Sequence, residues 1–253
     1  MYIRGGSPIQ NKVILDGMTI YNPFHSIGFF SVFDTDIIRS VDIYTGGFGA
    51  TYGGRISSIM DINSKDGNKK HFSGKASISP FGSKLMLEGP LKKLTEDGSS
   101  SISYVFSGKT SYLEQSSKLL YSYIDTAGLP FNYTDLYGKV SVNSDNGSKA
   151  NFFGFRYKDQ VKYKAVSDLN WSAWGAGSNF MVVPSGSPVL IMGKFNVSDY
   201  EISIAEKDPS TGEELAPRSS KINGFNLGFD FKYFIKTDEI KYGIEVNGFK
   251  TEF

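Results

Sequence analysis

Hydrophobic and polar residues alternate along most of the chain after residue 71. The clearest segments are 222–235 and 240–247, in which large apolar side chains share one face and glycine or polar side chains share the other. Alternation with a period of two predicts β-strands that separate an apolar from a polar environment. We expect about nine such antiparallel strands, joined as hairpins. The others are predicted at 72–79, 82–89, 102–107, 139–143, 153–158, 168–182 and 188–204.

The segments that connect these strands form a second pattern. Counted from residue 72, connectors after even-numbered strands are predicted to be short, and those after the third, fifth and seventh strands to be long. Outer-membrane β-barrels show this asymmetry, because tight turns lie on one side of the membrane and long loops on the other. The short connectors are 91–98, 144–147, 183–187 and 236–239, the long ones are 111–135, 159–167 and 205–220, and the first connector, 80–81, is a short exception.

Alternation alone fits two kinds of environment. The strands of a soluble β-sandwich also have one apolar and one polar face. A strand as long as 222–235 can instead cross a bilayer at a tilt, which takes about 9–11 residues. Its opposite face is small and polar, as the lumen of a barrel requires. The choice between the two environments therefore depends on the N-terminal residues.

The first 67 residues differ from the rest of the chain. Short strands are predicted at 11–16, 39–45 and 56–64, and a short helix or turn near 34–39 could be capped by Asp34 or Thr35. Glycines are concentrated between Gly46 and Gly54. They allow the backbone to turn at positive φ and to lie close to another surface. A phosphate-binding loop is not indicated, because a strand-like segment rather than a helix follows.

A series of motifs runs through these residues in a fixed order. They are Arg4-Gly5-Gly6, a predicted turn at Leu15-Asp16-Gly17, Asn22-Pro23, Ile38 with Val41, Gly46-Gly47, and Tyr52-Gly53-Gly54-Arg55. The ordered series resembles the second half of the plug domain of TonB-dependent outer-membrane receptors, particularly those of Bacteroidetes-type bacteria. Each motif is weak by itself, whereas the complete series, over residues 3 to 67, is specific.

The resemblance implies an all-β fold: a partial transmembrane antiparallel β-barrel with a small α+β plug remnant. Residues 1–67 would be the C-terminal part of the plug domain. Residues 68–253 would be the N-terminal part of the barrel. The chain would then begin within a plug, without the segment that contacts TonB.

The resemblance also implies a function. A TonB-dependent receptor takes up a scarce nutrient, such as a siderophore, vitamin, oligosaccharide or peptide, when a TonB-type energy-transducing protein displaces the plug. The expected location is the bacterial outer membrane, and the expected partners are the lipid bilayer, the TonB-type protein and a small nutrient ligand. Such uptake needs no covalent chemistry, so an enzyme is not predicted.

Plug arginines of this family meet barrel glutamates, and Arg55 is at the position where such a residue is expected. Glu88 and Glu245 are its candidate partners, although Arg55 is equally consistent with a solvated turn charge. Ligand contacts are expected from aromatic-rich outer loops, which suit sugars, peptides or siderophore rings but also pack on themselves. The candidates are Asn22, Phe24, His25, Tyr112, Tyr121, Tyr123 and Tyr133.

Aromatic residues on the predicted strands allow two interpretations. Trp171 and Trp174, with Tyr157, Tyr163 and Tyr233, could form a girdle at the membrane interface. Ordinary packing explains them equally well.

Composition excludes several classes of function. Lys and Arg number 27 against 26 Asp and Glu, so no net field attracts nucleic acid. There is no cysteine, and the two histidines lack partners at metal-ligand spacing, so neither a metal site nor a cofactor is predicted. Two alternatives stay open: a soluble or surface-attached β-rich module that binds polysaccharide or protein, and a barrel enzyme, for which no catalytic motif is found.

Overall fold

A computed structural model describes residues 3, 6, 7, 10–25, 28–54, 57–95, 100–120, 128–163, 167–208, 211, 213 and 215–253. Of the predicted site residues, Arg4, Gly5, Arg55, Tyr121 and Tyr123 fall outside this description, as does the side chain of Tyr163.

The described residues form strands almost throughout. The short strands of the N-terminal part are β1 (Asn11–Leu15), β2 (Met18–Ile20), β3 (Phe24–His25), β4 (Phe30–Ser31), β5 (Ile38–Thr45) and β6 (Ser58–Ser64), with a 3-10 helix at Thr35–Ile37. The remaining elements are β7 (Ser73–Ile78), β8 (Gly82–Lys92), β9 (Ser101–Ser111), α1 (Leu113–Leu120), β10 (Phe131–Asn143), β11 (Lys149–Tyr163), β12 (Ser167–Val182), β13 (Val189–Glu206), β14 (Arg218–Ile235) and β15 (Asp238–Glu252).

Residues 10–64, here called the N-terminal unit, are organised by a four-stranded sheet in the order β2-β1-β6-β5. Strand β1 pairs antiparallel with β2 and parallel with β6. Asp16 and Gly17 both have positive φ, +51° and +94°, as a two-residue hairpin turn of the Asp-Gly type requires. The predicted turn and the three predicted strands are confirmed, whereas β2 is too short for its alternation to be recognised.

The 3-10 helix follows from local chemistry. Asp34 precedes it in an extended conformation, and its carboxylate accepts a hydrogen bond from the backbone N–H of Asp36 at 3.0 Å. This is the N-cap arrangement that the sequence predicts. The helix places Ile37 in the core.

Strands β7 to β15 form the large sheet, in which each strand pairs antiparallel with its neighbours in the sequence. The predicted all-β fold class is confirmed. The division of the chain between residues 67 and 68 stays a prediction.

The two faces of the large sheet have different surroundings. One face lies against the N-terminal unit, and the other exposes large apolar side chains, among them Phe225, Leu227 and Phe229 on β14. These belong to a row of six such residues from Phe225 to Ile235. At about 3.4 Å per residue and a tilt of about 40°, the row is about 26 Å high. Outer-membrane barrels have an apolar band about 25 Å high, so the exposed face fits a bilayer.

On β11 the aromatic face points to the opposite side from the one predicted. In a barrel interpretation the apolar face of an alternating strand meets lipid, whereas Phe153, Phe155 and Tyr157 are buried against the N-terminal unit, with Phe155 only 6% exposed. Alternation determines which residues share a face, but not which face is outside. Here the apolar surface of the N-terminal unit needs an apolar partner, and β11 supplies it.

The inward position of β11 also changes the predicted aromatic girdle. Tyr157 and Trp171 are buried inside and cannot reach lipid. Trp174, 48% exposed, and Tyr233 lie on the outer face and fit the girdle interpretation.

The connector lengths differ from the prediction at two places. Strand β11 continues to Tyr163 and β12 begins at Ser167, so the connector expected at 159–167 is short. Polar residues obscured this continuation, because outward-facing Gln160 and Lys162 alternate with buried Asp159 and Val161. In the segment 111–135, α1 and the start of β10 replace part of the expected loop. No helix in the described ranges is long and apolar enough to cross a membrane.

The position of the apolar band predicts how stability responds to a charge. Phe229→Lys, measured against Phe229→Ala, should cost about 2–4 kcal/mol of folding free energy in a bilayer, because Phe229 lies in the middle of the band. Ser219→Lys, measured against Ser219→Ala, changes the same face of the same strand near its end and should cost about 0–1 kcal/mol. Refolding of the full-length protein into vesicles under urea titration measures both values. Equal costs at the two positions would contradict the membrane assignment.

Candidate functional site

The N-terminal unit and the inner face of the large sheet share one hydrophobic core. Leu15, Met18 and Ile62 of the N-terminal unit are almost completely buried. The large sheet contributes Met86, Val105, Tyr137, Phe153, Phe155, Tyr157, Trp171 and Ala173. These residues belong to β8–β12, and Tyr200 and Ile202 of β13 pack against the same core.

The turn formed by Asp16 and Gly17 is hydrogen-bonded to three strands of the large sheet. Tyr137 on β10 donates its hydroxyl to Asp16 Oδ2 at 2.6 Å. Asn179 on β12 donates to the Asp16 carbonyl at 3.0 Å, and Asn196 on β13 donates to the Gly17 carbonyl at 3.1 Å. The turn is therefore a docking point as well as a hairpin connection.

A buried lysine extends this contact. Lys139 on β10 is 4% exposed, and its Nζ lies 3.4 Å from Asp16 Oδ1 and 3.5 Å from Asp66 Oδ1. It also donates to the Ser64 carbonyl at 3.1 Å. Burial disfavours the charged form of Asp66, but the hydrogen bond from Lys149 and the neighbouring positive charges lower the pKa of Asp66 overall. A buried charge of this kind is tolerated only while its partners stay in place.

His25 forms a second contact between the two parts. It is completely buried, and its Nε2 lies 2.7 and 2.8 Å from the two carboxylate oxygens of Asp135 on β10. Its Nδ1 lies 3.7 Å from Asp159 on β11. The imidazole stacks between Tyr133 and Trp171, with centroid distances of 4.4 and 5.2 Å. Burial lowers the pKa of His25, but the hydrogen bonds and charges of the two aspartates outweigh it and raise the pKa above 6.5.

This geometry corrects one predicted ligand-facing residue, because His25 is completely buried and contacts Tyr133 rather than an open surface. Tyr133 lines a pocket of about 420 Å³ together with Trp171 and Asp159, so its ligand-facing role stays a prediction. The sequence gives no sign that His25 is buried, because the aspartates that bind His25 are more than a hundred residues away along the chain.

The remaining ligand-facing candidates in the described ranges are half-buried. The side-chain carbonyl of Asn22 accepts a hydrogen bond from the Phe24 backbone N–H at 3.2 Å, which fixes the loop that holds both residues. The hydroxyl of Tyr112 donates to the Ser79 carbonyl at 2.5 Å and thereby closes onto the β7–β8 turn. The assignment of Asn22, Phe24 and Tyr112 as ligand contacts stays a prediction.

The glycine-rich segment is more open than expected. Gly46 and Gly54 have positive φ, +78° and +81°, as predicted. Among the described residues, a Cβ at Gly47 or Gly53 would meet no atom within 4 Å. A close approach occurs instead at Gly6, where a Cβ would lie 2.2 Å from Ser57 Oγ.

Tyr52, the aromatic residue of that segment, is fixed by Asp61. Its hydroxyl donates to Asp61 Oδ2 at 2.8 Å, and its ring packs against Tyr44. Burial disfavours the charged forms of Tyr52 and Asp61, and it is the main reason that the pKa of each side chain is raised.

Arg55 lies outside the described residues, so its pairing with Glu88 or Glu245 stays a prediction, and both glutamates form other ion pairs. Glu88 does bind the segment that follows β6, but through Lys65 Nζ at 3.1 Å. Glu245 pairs with Lys194 of the same sheet at 2.7 Å. In addition, the carboxylate of Asp34 accepts from Lys84 at 3.1 Å and from Ser107 at 2.7 Å. The two parts are therefore also joined by acidic residues of the N-terminal unit and basic residues of the large sheet. The motif series predicted only the reverse arrangement, with a basic residue on the N-terminal unit.

The comparisons with known proteins agree with this architecture. Residues 1–58 match the family described as TonB-dependent Receptor Plug Domain. The FrpB iron transporter from Neisseria meningitidis is similar at 14% identity and a TM-score of 0.62, over 97% of this chain and 40% of that one. The siderophore receptor PiuA from Acinetobacter baumannii is similar at 11% identity and a TM-score of 0.65, over 99% and 39%. No curated protein sequence matches the chain.

A third solved structure, the copper transporter OprC, is similar at 12% identity and a TM-score of 0.66, over 96% of this chain and 39% of that one. At these identities the likeness concerns the fold. The predicted resemblance to TonB-dependent receptors, whose β-barrels lie in the outer membrane, is confirmed. The chain spans about two fifths of the length of these structures.

The His25 contact predicts a pH-dependent attachment of the N-terminal unit. Replacing His25 by Ala removes the shared partner of Asp135 and Asp159, while Lys109 stays 3.0 Å from Asp135 and Trp171 still donates to Asp159 at 2.9 Å. The attachment should therefore weaken by about 1–3 kcal/mol. Because the pKa of His25 is raised in the folded state, its contribution should be complete below about pH 6.5 and disappear as pH rises through the folded-state value.

Limited proteolysis of the N-terminal unit in the full-length protein, followed from pH 6 to pH 9, measures this attachment. His71→Ala changes the other histidine, which is exposed, and should leave the proteolysis rate unchanged. If His25→Ala had no more effect than His71→Ala, His25 would not attach the N-terminal unit.

Proposed function

We propose that this chain is the plug and the first wall strands of an outer-membrane transporter that takes up a scarce nutrient with energy from a TonB-type protein. The observation that carries the proposal is the arrangement of the N-terminal unit. It lies against the inner face of a sheet whose outer face is an apolar band of bilayer height. The match of residues 1–58 to the plug family supports it.

The contacts described above suit a plug that must close a lumen and still be displaced. The apolar core on β8–β12 excludes water, while the polar contacts of Asp16 and His25 fix one orientation. A buried ion pair adds little net stability compared with apolar residues of similar volume. Once one partner moves away, however, the charge of the other is left buried and uncompensated, so the contact breaks. A pull on the chain before Asn11 reaches β1 first, and β1 is paired with both β2 and β6.

The class of cargo follows from the proposed family, and it is a siderophore, vitamin, oligosaccharide or peptide. The neighbours described as iron, copper and siderophore proteins are consistent with a scarce metal or its chelate, although these cargoes are properties of those proteins.

The soluble binding module is the second candidate, and the outer face of the large sheet disfavours it. Phe195, Phe225 and Phe229 lie on neighbouring strands of that face, and all three are exposed. Soluble monomers rarely expose contiguous apolar patches larger than a few hundred Å². A soluble module would need a second layer to cover this face.

Uptake by cells tests the proposal. The full-length protein, expressed in a bacterium that lacks its own receptors, should partition into the outer membrane and take up labelled nutrient of one of the four classes. Deleting the TonB-type protein should abolish that uptake. Recovery of the protein in the soluble fraction, or uptake that is unchanged by the deletion, would contradict the proposal.

Leakage gives a test that needs no knowledge of the cargo. Asp16→Ala removes the carboxylate that Tyr137 binds, while buried Lys139 keeps Asp66 at 3.5 Å and the Ser64 carbonyl at 3.1 Å, so the expected cost is about 1–3 kcal/mol. Cells with this variant should admit a large antibiotic that normally does not cross the outer membrane. Asp145→Ala, in an exposed turn of the large sheet, is the matched control and should not leak. Unchanged permeability of Asp16→Ala would argue against a closing role for the N-terminal unit.

A further inference from the structure

The outer face of the large sheet changes from apolar to polar near one end of its strands. On β14 the apolar band ends at Phe225. The next row of outward-facing residues, on β11–β13, consists of Arg156, Trp174 and Asp199. This end of the sheet carries the longer connectors, 112–130 and 207–217, which lie outside the cell in outer-membrane barrels.

Beyond that row, two rows across β10–β13 consist entirely of polar side chains. The nearer row is Thr134, Lys158, Ser172 and Glu201, and the farther row is Asn132, Gln160, Asn170 and Ser203. These eight residues are called the outer polar patch. They share the outward face with Leu136 and Trp174, which are exposed.

The outer polar patch surrounds the pocket of about 420 Å³ that Tyr133 also lines. Tyr133, Asp159 and Trp171 are the other described residues around it, but their side chains are buried on the inner face. The cavity therefore opens on the outer face of the sheet. Its volume falls within the range of about 300–1,000 Å³ that is typical of ligand sites.

The uncharged part of the patch suits a sugar. Amides are contributed by Asn132, Gln160 and Asn170, and hydroxyls by Thr134, Ser172 and Ser203. Both groups donate and accept hydrogen bonds, as the hydroxyls of a sugar do. The side chains of Gln160 and Asn170 donate to Asp168 at 3.4 and 3.2 Å, which orients both amides.

The charged part of the patch suits a phosphate. Arg156 and Lys158 are exposed and follow each other on the outer face of β11. The acids of the same two rows, Asp199 and Glu201, lie 3.3 and 4.0 Å from Lys221. Among the described residues, no carboxylate forms an ion pair with Arg156 or Lys158, so both cations can bind an anion. A guanidinium binds phosphate through two parallel hydrogen bonds.

The height of the two cations corresponds to lipid headgroups. At about 5 Å per row, Arg156 and Lys158 lie about 5 and 10 Å beyond Phe225. The headgroup region extends about 5–8 Å beyond the hydrocarbon core, so the cations lie at its level and at its outer edge.

From these observations we infer that the outer polar patch, together with Arg156, binds the phosphorylated sugar headgroup of a lipid in the outer leaflet. Basic clusters beside a membrane bind anionic headgroups. A lipid is assigned rather than a free sugar phosphate, because the cavity opens directly beyond the apolar band. The inference goes beyond nutrient uptake and depends only on the position of the large sheet in the outer membrane.

Native mass spectrometry of the full-length protein in detergent, titrated with a bisphosphorylated disaccharide lipid, tests the site. The double variant Arg156→Gln with Lys158→Gln should bind about tenfold more weakly, because charge-assisted hydrogen bonds to phosphate are lost. Lys250→Gln is the matched control. Lys250 lies in the same outer row as Arg156 but pairs with Glu252, so its replacement should leave the affinity unchanged.

Three further titrations separate the sources of binding. The same lipid without its phosphates should bind equally to the parent protein and the double variant. The soluble bisphosphorylated disaccharide, which has no acyl chains, should bind the parent at least about tenfold more weakly than the lipid. Ser172→Phe fills the cavity without changing the charge and should also weaken lipid binding, which keeps the test decisive if the double variant does not fold.

Several results would overturn the inference. They are equal affinity of the parent and the folded variants for the phosphorylated lipid, a difference that persists without phosphate, and equal binding of the soluble disaccharide. Nutrient uptake is measured separately, so each of these results would leave the proposed transport function in place.

Discussion

The structure depends on the fit between the N-terminal unit and the inner face of the large sheet. This contact decides which face of each strand is inside, because the large sheet has apolar residues on both faces. On β14 the large side chains are outside, and on β11 the aromatic side chains Phe153, Phe155 and Tyr157 are inside. The hydrophobic effect drives both arrangements. Lipid excludes water from the large side chains of β14, and the N-terminal unit excludes water from the aromatic side chains of β11.

The polar contacts within this interface limit its orientation. The Asp16-Gly17 turn and His25 are bound by side chains from β10, β11, β12 and β13, so the N-terminal unit is fixed at two separate places. Leaving such polar and charged groups buried without a hydrogen-bond partner costs folding free energy. They therefore favour a single docked arrangement of the N-terminal unit.

Much of the fold could be predicted from local sequence patterns. The strands of the large sheet, the Asp16-Gly17 turn and the cap at Asp34 depend on residues that are close together along the chain, and all three were recognisable. The inward face of β11 was not, because its direction depends on a surface formed by residues about a hundred positions earlier. The same limit explains His25, whose partners Asp135 and Asp159 become neighbours only in the folded chain. Sequence motifs pointed correctly to Asp16 and Gly17 as a turn, but not to the tyrosine, lysine and asparagines that bind it.

The two tryptophans of the chain distinguish the inside of the large sheet from its outside, because they lie three residues apart on β12 and on opposite faces. Single-tryptophan forms of the full-length protein in vesicles with brominated acyl chains report which indole contacts lipid. We expect the fluorescence of Trp174 to be quenched and that of Trp171, which is stacked on His25, to be unaffected. Quenching of Trp171, or equal protection of both, would contradict a sheet with lipid on its outer face and the N-terminal unit inside.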